Sequence, residues 1–263
     1  MRLETVPFLL NPRTGNPLRL ESAGRQQALV DSQTGERFLI QSGIPIFIKD
    51  AARPAGVQAA QKWFDLLGVA FTYDWRVHWG LSKKGIDERQ MRIDFLKRLE
   101  IKAGDRILET SVGTGSNFQY CPDTTELYGV DVSWKMLLYA QRNLRKWKRP
   151  AELFFADASA KLPFKDEAFE VVFHMAGIQY FDNPKLGIRE MIRVAKPGTK
   201  ILVADESHTA PATLRRAGIQ NDHPDAETAL KDLPGLLPDG LSEVSAEIIA
   251  RGELYCLSFR KPL

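Results

Sequence analysis

The amino-acid sequence predicts an α/β protein in which a small β-rich module precedes a larger domain built on a mainly parallel sheet. Two patterns in the 263 residues predict this fold. From Gly104 onward, short apolar runs alternate with helical stripes, which is typical of a parallel sheet with helices on its faces. In residues 1–50, turn formers such as Asn11-Pro12 separate short apolar runs, which favours antiparallel strands.

The larger domain is predicted to contain five buried strands, at residues 106–109, 127–130, 153–155, 171–173 and 201–204. One helix is predicted to start after Ser133 as its N-cap, and a second to begin near residues 182–184 and to stop before Pro197-Gly198. Residues 243–250 and 253–260 predict a closing hairpin with its turn at Arg251-Gly252. The stretch from residue 210 to 240 is rich in Pro and Asp and predicts an excursion over one edge of the sheet.

These patterns divide the chain into a β-rich module at residues 1–50, a helical arm at 51–100 and a main domain at 101–263. Apolar residues at helical spacing predict two helices in the arm, at residues 60–67 and after Asp87 as a candidate cap. An aromatic segment at residues 71–75, with Trp79 close behind, lies between them. Its rings are either core filler that joins the arm to the main domain or a lid over a ligand.

Composition narrows the classes of protein. Lys and Arg number 36 and Asp and Glu 33, so the formal charge of +3 gives a weak case for a nucleic-acid-binding protein. Two cysteines cannot build a disulfide framework or a four-cysteine zinc site. No apolar run approaches the roughly 18 residues of a membrane span, and the start lacks a secretion signal. We therefore expect a soluble, cytoplasmic protein without a membrane span; the sequence sets no oligomeric state.

A glycine-containing turn follows the first strand of the main domain, at residues 109–117. Gly113 and Gly115 let the backbone approach a ligand closely, and the helix start that follows offers free N–H donors. A dinucleotide fingerprint requires a third glycine, and Phe118 stands at that position. Hydride chemistry with a nicotinamide cofactor is therefore disfavoured.

Two carboxylates follow the next two strands. Asp131 ends the second strand, where an acidic side chain can accept hydrogen bonds from both ribose hydroxyls. Asp157 follows the third strand, in position to receive the amino hydrogens of an adenine. The structural alternatives are a helix cap for Asp131 and a turn residue for Asp157. Together with the glycine turn, these groups predict an adenosine site at the crevice of the sheet.

In this order and spacing, the motifs resemble those of class I S-adenosylmethionine-dependent methyltransferases, particularly the quinone-biosynthesis branch. The matching segments are 107–109 with 113–115, then 129–131, 157–158 with 162–164, 169–172 and 190–198. The resemblance implies a Rossmann-like seven-stranded sheet with an antiparallel final strand, S-adenosylmethionine as cofactor and S-adenosylhomocysteine as product. It implies that Ser111, Gly113 and Gly115 hold the methionine part, Asp131 the ribose and Asp157 the adenine. The other implied cofactor-binding residues are Glu109, Asn117, Val132, Ala158 and His174. The family usually has a glycine where this chain has Ser111.

The first 50 residues resemble the small zinc-ribbon module that precedes some methyltransferases and activates others. The positions held here by Asn11, Thr14, Asp31 and Thr34 are cysteines in that module. Tetrahedral zinc needs thiolate or histidine ligands. We therefore expect the β-scaffold without a metal.

The leading functional hypothesis is methyl transfer to oxygen or carbon of a small, partly apolar molecule. His174, at the end of the fourth strand, is the first candidate for a general base, although that position often only lines the cofactor in this family. Tyr180, with Gln179 beside it, is expected to orient the acceptor or to serve in packing, and His208 and His223 are weaker candidates for a base.

Two alternatives stay open: methylation of ribosomal or transfer RNA, and a non-catalytic protein that binds S-adenosylmethionine. The sequence after the fourth strand lacks the Asn/Asp-Pro-Pro-aromatic motif typical of nucleobase N-methylation, which disfavours that chemistry and nucleic acid as a partner. Residues 132–149 carry six basic and no acidic side chains. These side chains form a solvated face, or they contact RNA phosphates or an anionic membrane surface.

Overall fold

The computed structural model describes residues 1–24, 26–48, 69–219 and 226–263. They form a seven-stranded mixed sheet and a four-stranded antiparallel sheet. The helix predicted at residues 60–67 and the candidate base His223 lie outside the described residues. Among the described residues, no helix is both long enough and apolar enough to span a bilayer.

The large sheet confirms the predicted fold class. Its strands are β5 (Arg106–Thr110), β6 (Glu126–Asp131), β7 (Ala151–Phe155), β8 (Val171–Met175), β9 (Lys200–Glu206), β10 (Ser242–Ile249) and β11 (Leu254–Arg260), in the order β10-β11-β9-β8-β5-β6-β7. Strands β5 to β9 are parallel, and β11 runs antiparallel to both of its neighbours. The chain leaves β5 toward β6 and β7 and returns on the other side at β8. This reversal creates the crevice at which sheets of this kind bind ligands.

The small sheet comprises β1 (Leu18–Ala23), β2 (Gln26–Asp31), β3 (Arg37–Gln41) and β4 (Ile44–Pro45). It docks on the β7 edge of the large sheet, where Ile46 forms a parallel bridge with Phe155 and Phe47 N donates to the Phe155 carbonyl at 2.9 Å. Buried side chains of both sheets, such as Leu29 and Phe154, belong to one hydrophobic cluster. The module therefore protects an otherwise open sheet edge.

The carboxylate of Asp31 lies at the centre of the module's turns. The zinc-ribbon module that this region resembles has four cysteines there. Asp31 is buried and accepts hydrogen bonds from Asn11 Nδ2 and Thr14 Oγ1, both at 2.7 Å, and from Thr34 N at 2.8 Å. These hydrogen bonds hold the pKa of Asp31 well below its usual range, against the opposing effect of burial. All four predicted positions thus meet at one anionic side chain.

Six α-helices surround the large sheet in the described residues: α1 (Val69–Lys83), α2 (Glu88–Lys97), α3 (Trp134–Trp147), α4 (Pro184–Val194), α5 (Ala210–Arg216) and α6 (Ala226–Ala229). Side chains of α2 and α3 are buried on one face of the sheet, and those of α4 on the other. The side chains of Asp87 and Ser133 cap α2 and α3 as predicted. The aromatic segment was predicted to lie between two helices, and this is corrected: it forms the first half of α1.

Candidate functional site

A cavity of about 510 Å³ opens at the carboxyl ends of the central strands. Residues after β5, β6, β7, β8 and β9 line it, and α1 and α2 contribute one wall, with Tyr73, Val77 and Leu81 from α1. The volume lies within the range of small-molecule sites. Since side chains from five strand ends meet in one space, this cavity is the candidate active site.

The glycine turn forms the floor of the cavity with strained backbone. Ser111 and Gly113 have φ angles of 58° and 53° and both line the cavity. Gly115, with φ of 76°, does not line it; a Cβ there would lie 3.5 Å from Ala140 Cβ of α3. Gly115 thus packs the turn against α3, and its expected role in holding the methionine part stays a prediction. Left-handed backbone favours glycine, so Ser111 carries a conformational cost.

Asp131 and Asp157 line the same cavity, beside Val132 and Ala158. One oxygen of Asp131 accepts from Gly113 N at 2.7 Å and the other from Ser133 N at 2.8 Å. One oxygen of Asp157 accepts from the backbone N–H and the hydroxyl of Ser159. The helix-cap and turn alternatives thus describe real contacts of these two carboxylates.

Glu109 supplies a buried carboxyl group at the cavity. Its Oε1 accepts from Asn117 Nδ2 at 2.6 Å, and its Oε2 is buried without a hydrogen-bond partner. Both residues line the cavity. Burial raises the pKa of Glu109 to about 8, although the Arg92 guanidinium opposes the shift. A buried, unpartnered carboxylate oxygen beside a cavity is a ready partner for a cationic ligand group.

Helix α1 is fastened to the glycine turn by a side chain that sequence reasoning missed. Asp74 Oδ1 accepts from Thr114 Oγ1 at 2.5 Å and from Ser116 Oγ at 3.2 Å, and its Oδ2 accepts from Asn143 Nδ2 at 3.2 Å. Tyr73 therefore faces the cavity, whereas Trp75 is 64% exposed. Of the two interpretations of the aromatic segment, this placement favours the lid over core filler.

Arg92 of α2 is a second residue that the sequence did not identify. It lines the cavity, donates to Asn117 Oδ1 at 2.7 Å and forms an ion pair with Glu88 at 2.8 Å. Through Asn117 it orients Glu109. Arginine one turn into a predicted helix gives no signal by itself, because the chain has many such residues.

His174 lies outside the cavity, contrary to the expectation that it binds cofactor or acts as the base. Its ring is fully buried, its Nδ1 lies 3.0 Å from Thr110 Oγ1, and it packs edge-on against Phe181. Burial lowers the pKa of His174 to about 3. Alternate residues of a strand point to opposite faces, and Met175 lines the cavity while His174 points toward the α4 face.

The end of the cavity beyond the glycine turn contains the other expected acceptor residues. Tyr180 and Gln179 line it, and burial raises the pKa of Tyr180. His208 lines it as well, with its Nε2 3.3 Å from Glu206 Oε2. Among the described residues, His208 is the histidine that lines the cavity. Asp205 is buried there, and burial raises its pKa to about 6.

Comparison with known proteins defines the class. Residues 108–203 match a family model described as a methyltransferase domain. A 106-residue segment is 35% identical to the demethylmenaquinone methyltransferase of Renibacterium salmoninarum, covering 40% of this chain and 43% of that protein. The chain thus spans less than half the length of this relative.

Two solved structures share the fold. A SAM-dependent methyltransferase from Aquifex aeolicus aligns with a TM-score of 0.51 and 19% identity, over 68% of this chain and 95% of that one. The [4+2]-cyclase SpnF aligns with a TM-score of 0.58 and 17% identity, over 84% of this chain and all of that one. At these sequence identities the alignments support a shared fold and nothing further.

The chain carries a class I S-adenosylmethionine-dependent methyltransferase domain. The residues fit that cofactor on independent structural grounds. Asp131 and Asp157 offer acceptors for the sugar and the base, and the unpartnered Oε2 of Glu109 suits a cationic amino acid end. Ser111 and Gly113 bring the backbone to the cavity between these groups.

Proposed function

We propose that this protein transfers a methyl group from S-adenosylmethionine to a ring carbon of a small, apolar, quinone-like acceptor. One observation carries the proposal: a single cavity joins the carboxylates Asp131 and Asp157 to a wall on helix α1 with apolar side chains, which we call the apolar end. Methyl transfer needs both molecules in one water-poor space, since the reaction gains most from proximity and alignment.

The apolar end supports the choice of acceptor. Val77, Leu81 and Met175 supply aliphatic surface there, and Tyr73 and Tyr180 supply rings suited to a flat aromatic molecule. The relative from Renibacterium bears the name of an enzyme that methylates demethylmenaquinone. The family match at residues 108–203 contains the glycine turn of the cavity floor, and the name of this relative supports a quinone-like acceptor.

When bound, S-adenosylmethionine supplies a methyl group that its positive sulfur has already activated. The chain's own residues would hold the acceptor and manage its protons. His208 would take the hydroxyl proton of a reduced acceptor, and Glu206, 3.3 Å away, would stabilise the resulting charge. The cavity would hold the ring carbon in line with the activated methyl group, whose bond to sulfur would break as the ring carbon accepts it. The ring C–H proton would then leave to water, and the proton held by His208 would return to the oxygen.

The test is methyl transfer from methyl-labelled S-adenosylmethionine to a short-tailed naphthoquinol that lacks the ring methyl. We expect labelled methylated product and S-adenosylhomocysteine in equal amounts. His208→Ala should lower kcat by about 100-fold or more, the usual contribution of a general base. His174→Gln should leave the pH profile of kcat unchanged, because His174 does not line the cavity.

Two outcomes would overturn the proposal. Saturable cofactor binding without turnover of any quinol would favour the non-catalytic alternative. Transfer to ribosomal or transfer RNA, with affinity that falls steeply as salt rises, would favour the nucleic-acid alternative.

A further inference from the structure

Helix α1 presents two tryptophans to solvent on the side away from the cavity. Trp75 is 64% exposed and Trp79 is 49% exposed, and their rings stack with centroids 5.9 Å apart. Lys83 continues the row, with its Nζ 3.5 Å from the Trp79 ring centroid. The three residues are spaced by four, so they form one stripe along the helix. Exposed paired indoles contribute nothing to the core and are unusual on a solvent-facing helix.

Helix α3, which lies beside α1, carries exposed cations. Asn143 of α3 donates to Asp74 of α1, which joins the two helices side by side. Lys146 lies three residues after Asn143, on the same side of α3, and Arg142 lies next to Asn143 in the chain. Both side chains are exposed, and neither forms an ion pair with a described residue. Trp75, Trp79, Lys83, Arg142 and Lys146 are together called the indole–cation surface.

The indole–cation surface lies beside the mouth of the cavity. Arg76, between Trp75 and Val77 in the chain, is exposed and also lines the cavity. Helix α1 therefore has one face toward the acceptor space and the opposite face carrying the indoles. An apolar acceptor that enters past α1 would pass next to this surface.

We infer that the indole–cation surface docks on an anionic phospholipid bilayer. Tryptophan prefers the boundary between headgroups and acyl chains, and lysine or arginine beside it pairs with anionic headgroups. Both chemistries are present on adjoining helices, which is the charge and polarity pattern of an interfacial membrane site. The inference goes beyond the proposed function and does not depend on it, because docking requires neither cofactor nor acceptor.

The arrangement of the rings favours a bilayer over single-stranded RNA. RNA-binding aromatic residues offer an open ring face on which a base can stack. Trp79 lies between Trp75 and Lys83 in the stripe, so its faces are already in contact with the neighbouring ring and ammonium group. Both indoles are still exposed to solvent, at 64% for Trp75 and 49% for Trp79, so they can enter a headgroup layer.

Vesicle cosedimentation of the full chain tests the inference. We expect binding to vesicles of phosphatidylcholine with 30% phosphatidylglycerol. Binding to vesicles of phosphatidylcholine alone should be weaker by about tenfold or more. Trp75→Ala with Trp79→Ala should weaken binding about tenfold or more, whereas Leu39→Ala, at a leucine 58% exposed on the small sheet, should not. Arg142→Glu with Lys146→Glu should abolish the preference for anionic vesicles. Arg189→Glu with Lys231→Glu is the matched control, since both residues are exposed and Arg189 lies on α4, across the sheet.

A second measurement identifies the inserted side chains even if the alanine variants fold poorly. Vesicles with brominated acyl chains quench only tryptophans that reach the bilayer. Trp75→Phe with Trp79→Phe keeps the aromatic surface, so it should bind within about twofold of the unaltered chain yet lose the quenching. Persistent quenching in this variant, equal binding to neutral vesicles, or tighter binding to single-stranded RNA than to anionic vesicles would each overturn the inference.

Discussion

Glu109 offers the sharpest test of how this cavity holds its cofactor. Burial raises the pKa of this carboxyl to about 8, and its Oε2 has no hydrogen-bond partner. Without ligand, the group is therefore mostly protonated at pH 6.5. A cationic amino acid end would favour the carboxylate, so binding should release a proton. Arg92 and Asp131 are the charged groups that act on Glu109, and their opposite signs partly offset each other.

The size of the effect follows from the titration. With a pKa near 8, the carboxylate fraction in the free protein rises about eightfold from pH 6.5 to pH 7.5. Cofactor affinity should rise by the same factor over this interval. Glu109→Gln should remove the dependence and lower affinity at pH 7.5 by about tenfold or more, the usual effect of losing a charge-assisted hydrogen bond.

Calorimetry in two buffers of different ionisation enthalpy measures both the cofactor affinity and the number of protons released on binding. We expect release of close to one proton at pH 6.5 from the unaltered chain and of almost none from Glu109→Gln. Asp205→Asn is the control, because Asp205 has a pKa of about 6 and is largely ionised above pH 6.5. Equal proton release from the unaltered chain and Glu109→Gln would refute the assignment.

The same residue makes a prediction about stability without ligand. Its pKa is raised from 4.5 to about 8 on folding, so between these values the unfolded chain is ionised while the folded chain keeps the proton. The folded state therefore loses up to about 1.4 kcal/mol per pH unit as pH rises through this window. Glu109→Gln should remove that slope in chemical denaturation, and an unchanged slope would show that the carboxyl is solvated.

Three further predictions concern stability. Asp31→Asn should lower Tm by at least about 3 °C, because an amide cannot accept the full set of hydrogen bonds that Asp31 receives. The control Asp182→Asn, at an exposed position, should leave Tm unchanged. Since the pKa of Asp31 is depressed, its contribution should persist above about pH 4 and vanish as pH falls further. Ser111→Gly should raise the free energy of unfolding by about 0.5–1 kcal/mol by relieving a φ of 58°, as measured with urea; a loss of stability would contradict this. Gly129→Ala should cost about 2 kcal/mol, because its Cβ would lie 2.8 Å from a side chain of the glycine turn, whereas Gly80→Ala meets open space and should cost nothing.

The sheet and the carboxylates at its edge were predictable because strand order and strand ends follow local patterns. Asp131 and Asp157 each come directly after a buried run, and parallel strands carry such residues to one edge. The face on which a strand residue lies is harder to predict. Both faces of β8 are buried, so its sequence, Val171–Met175, shows no alternation of apolar and polar residues. His174 was expected at the cavity because it ends this strand, and without alternation the sequence does not show which face its side chain takes.

Helix α1 shows the second limit, which is contact between distant parts of the chain. Asp74 meets Thr114 across 40 residues, and no local pattern encodes that pairing. The stripe of Trp75 and Trp79 also resembles a buried helix face by spacing alone. Only the contacts of Asp74 and Tyr73 decide which face turns inward.

The turns of the module at residues 1–48 meet at Asp31, one of the four positions where the resemblance implies cysteines. Buried donors between two turns are costly unless each of them finds an acceptor. Asp31 meets that need with one carboxylate that binds the side chains of Asn11 and Thr14 and the backbone of Thr34. The sequence shows that cysteines are absent from these four positions. It does not show that Asp31 accepts the hydrogen bonds, because that depends on the directions of side chains within the turns. Since Ile46 and Phe47 pair with Phe155 at the β7 edge, two residues before Asp157, this scaffold also supports the strand end that positions Asp157.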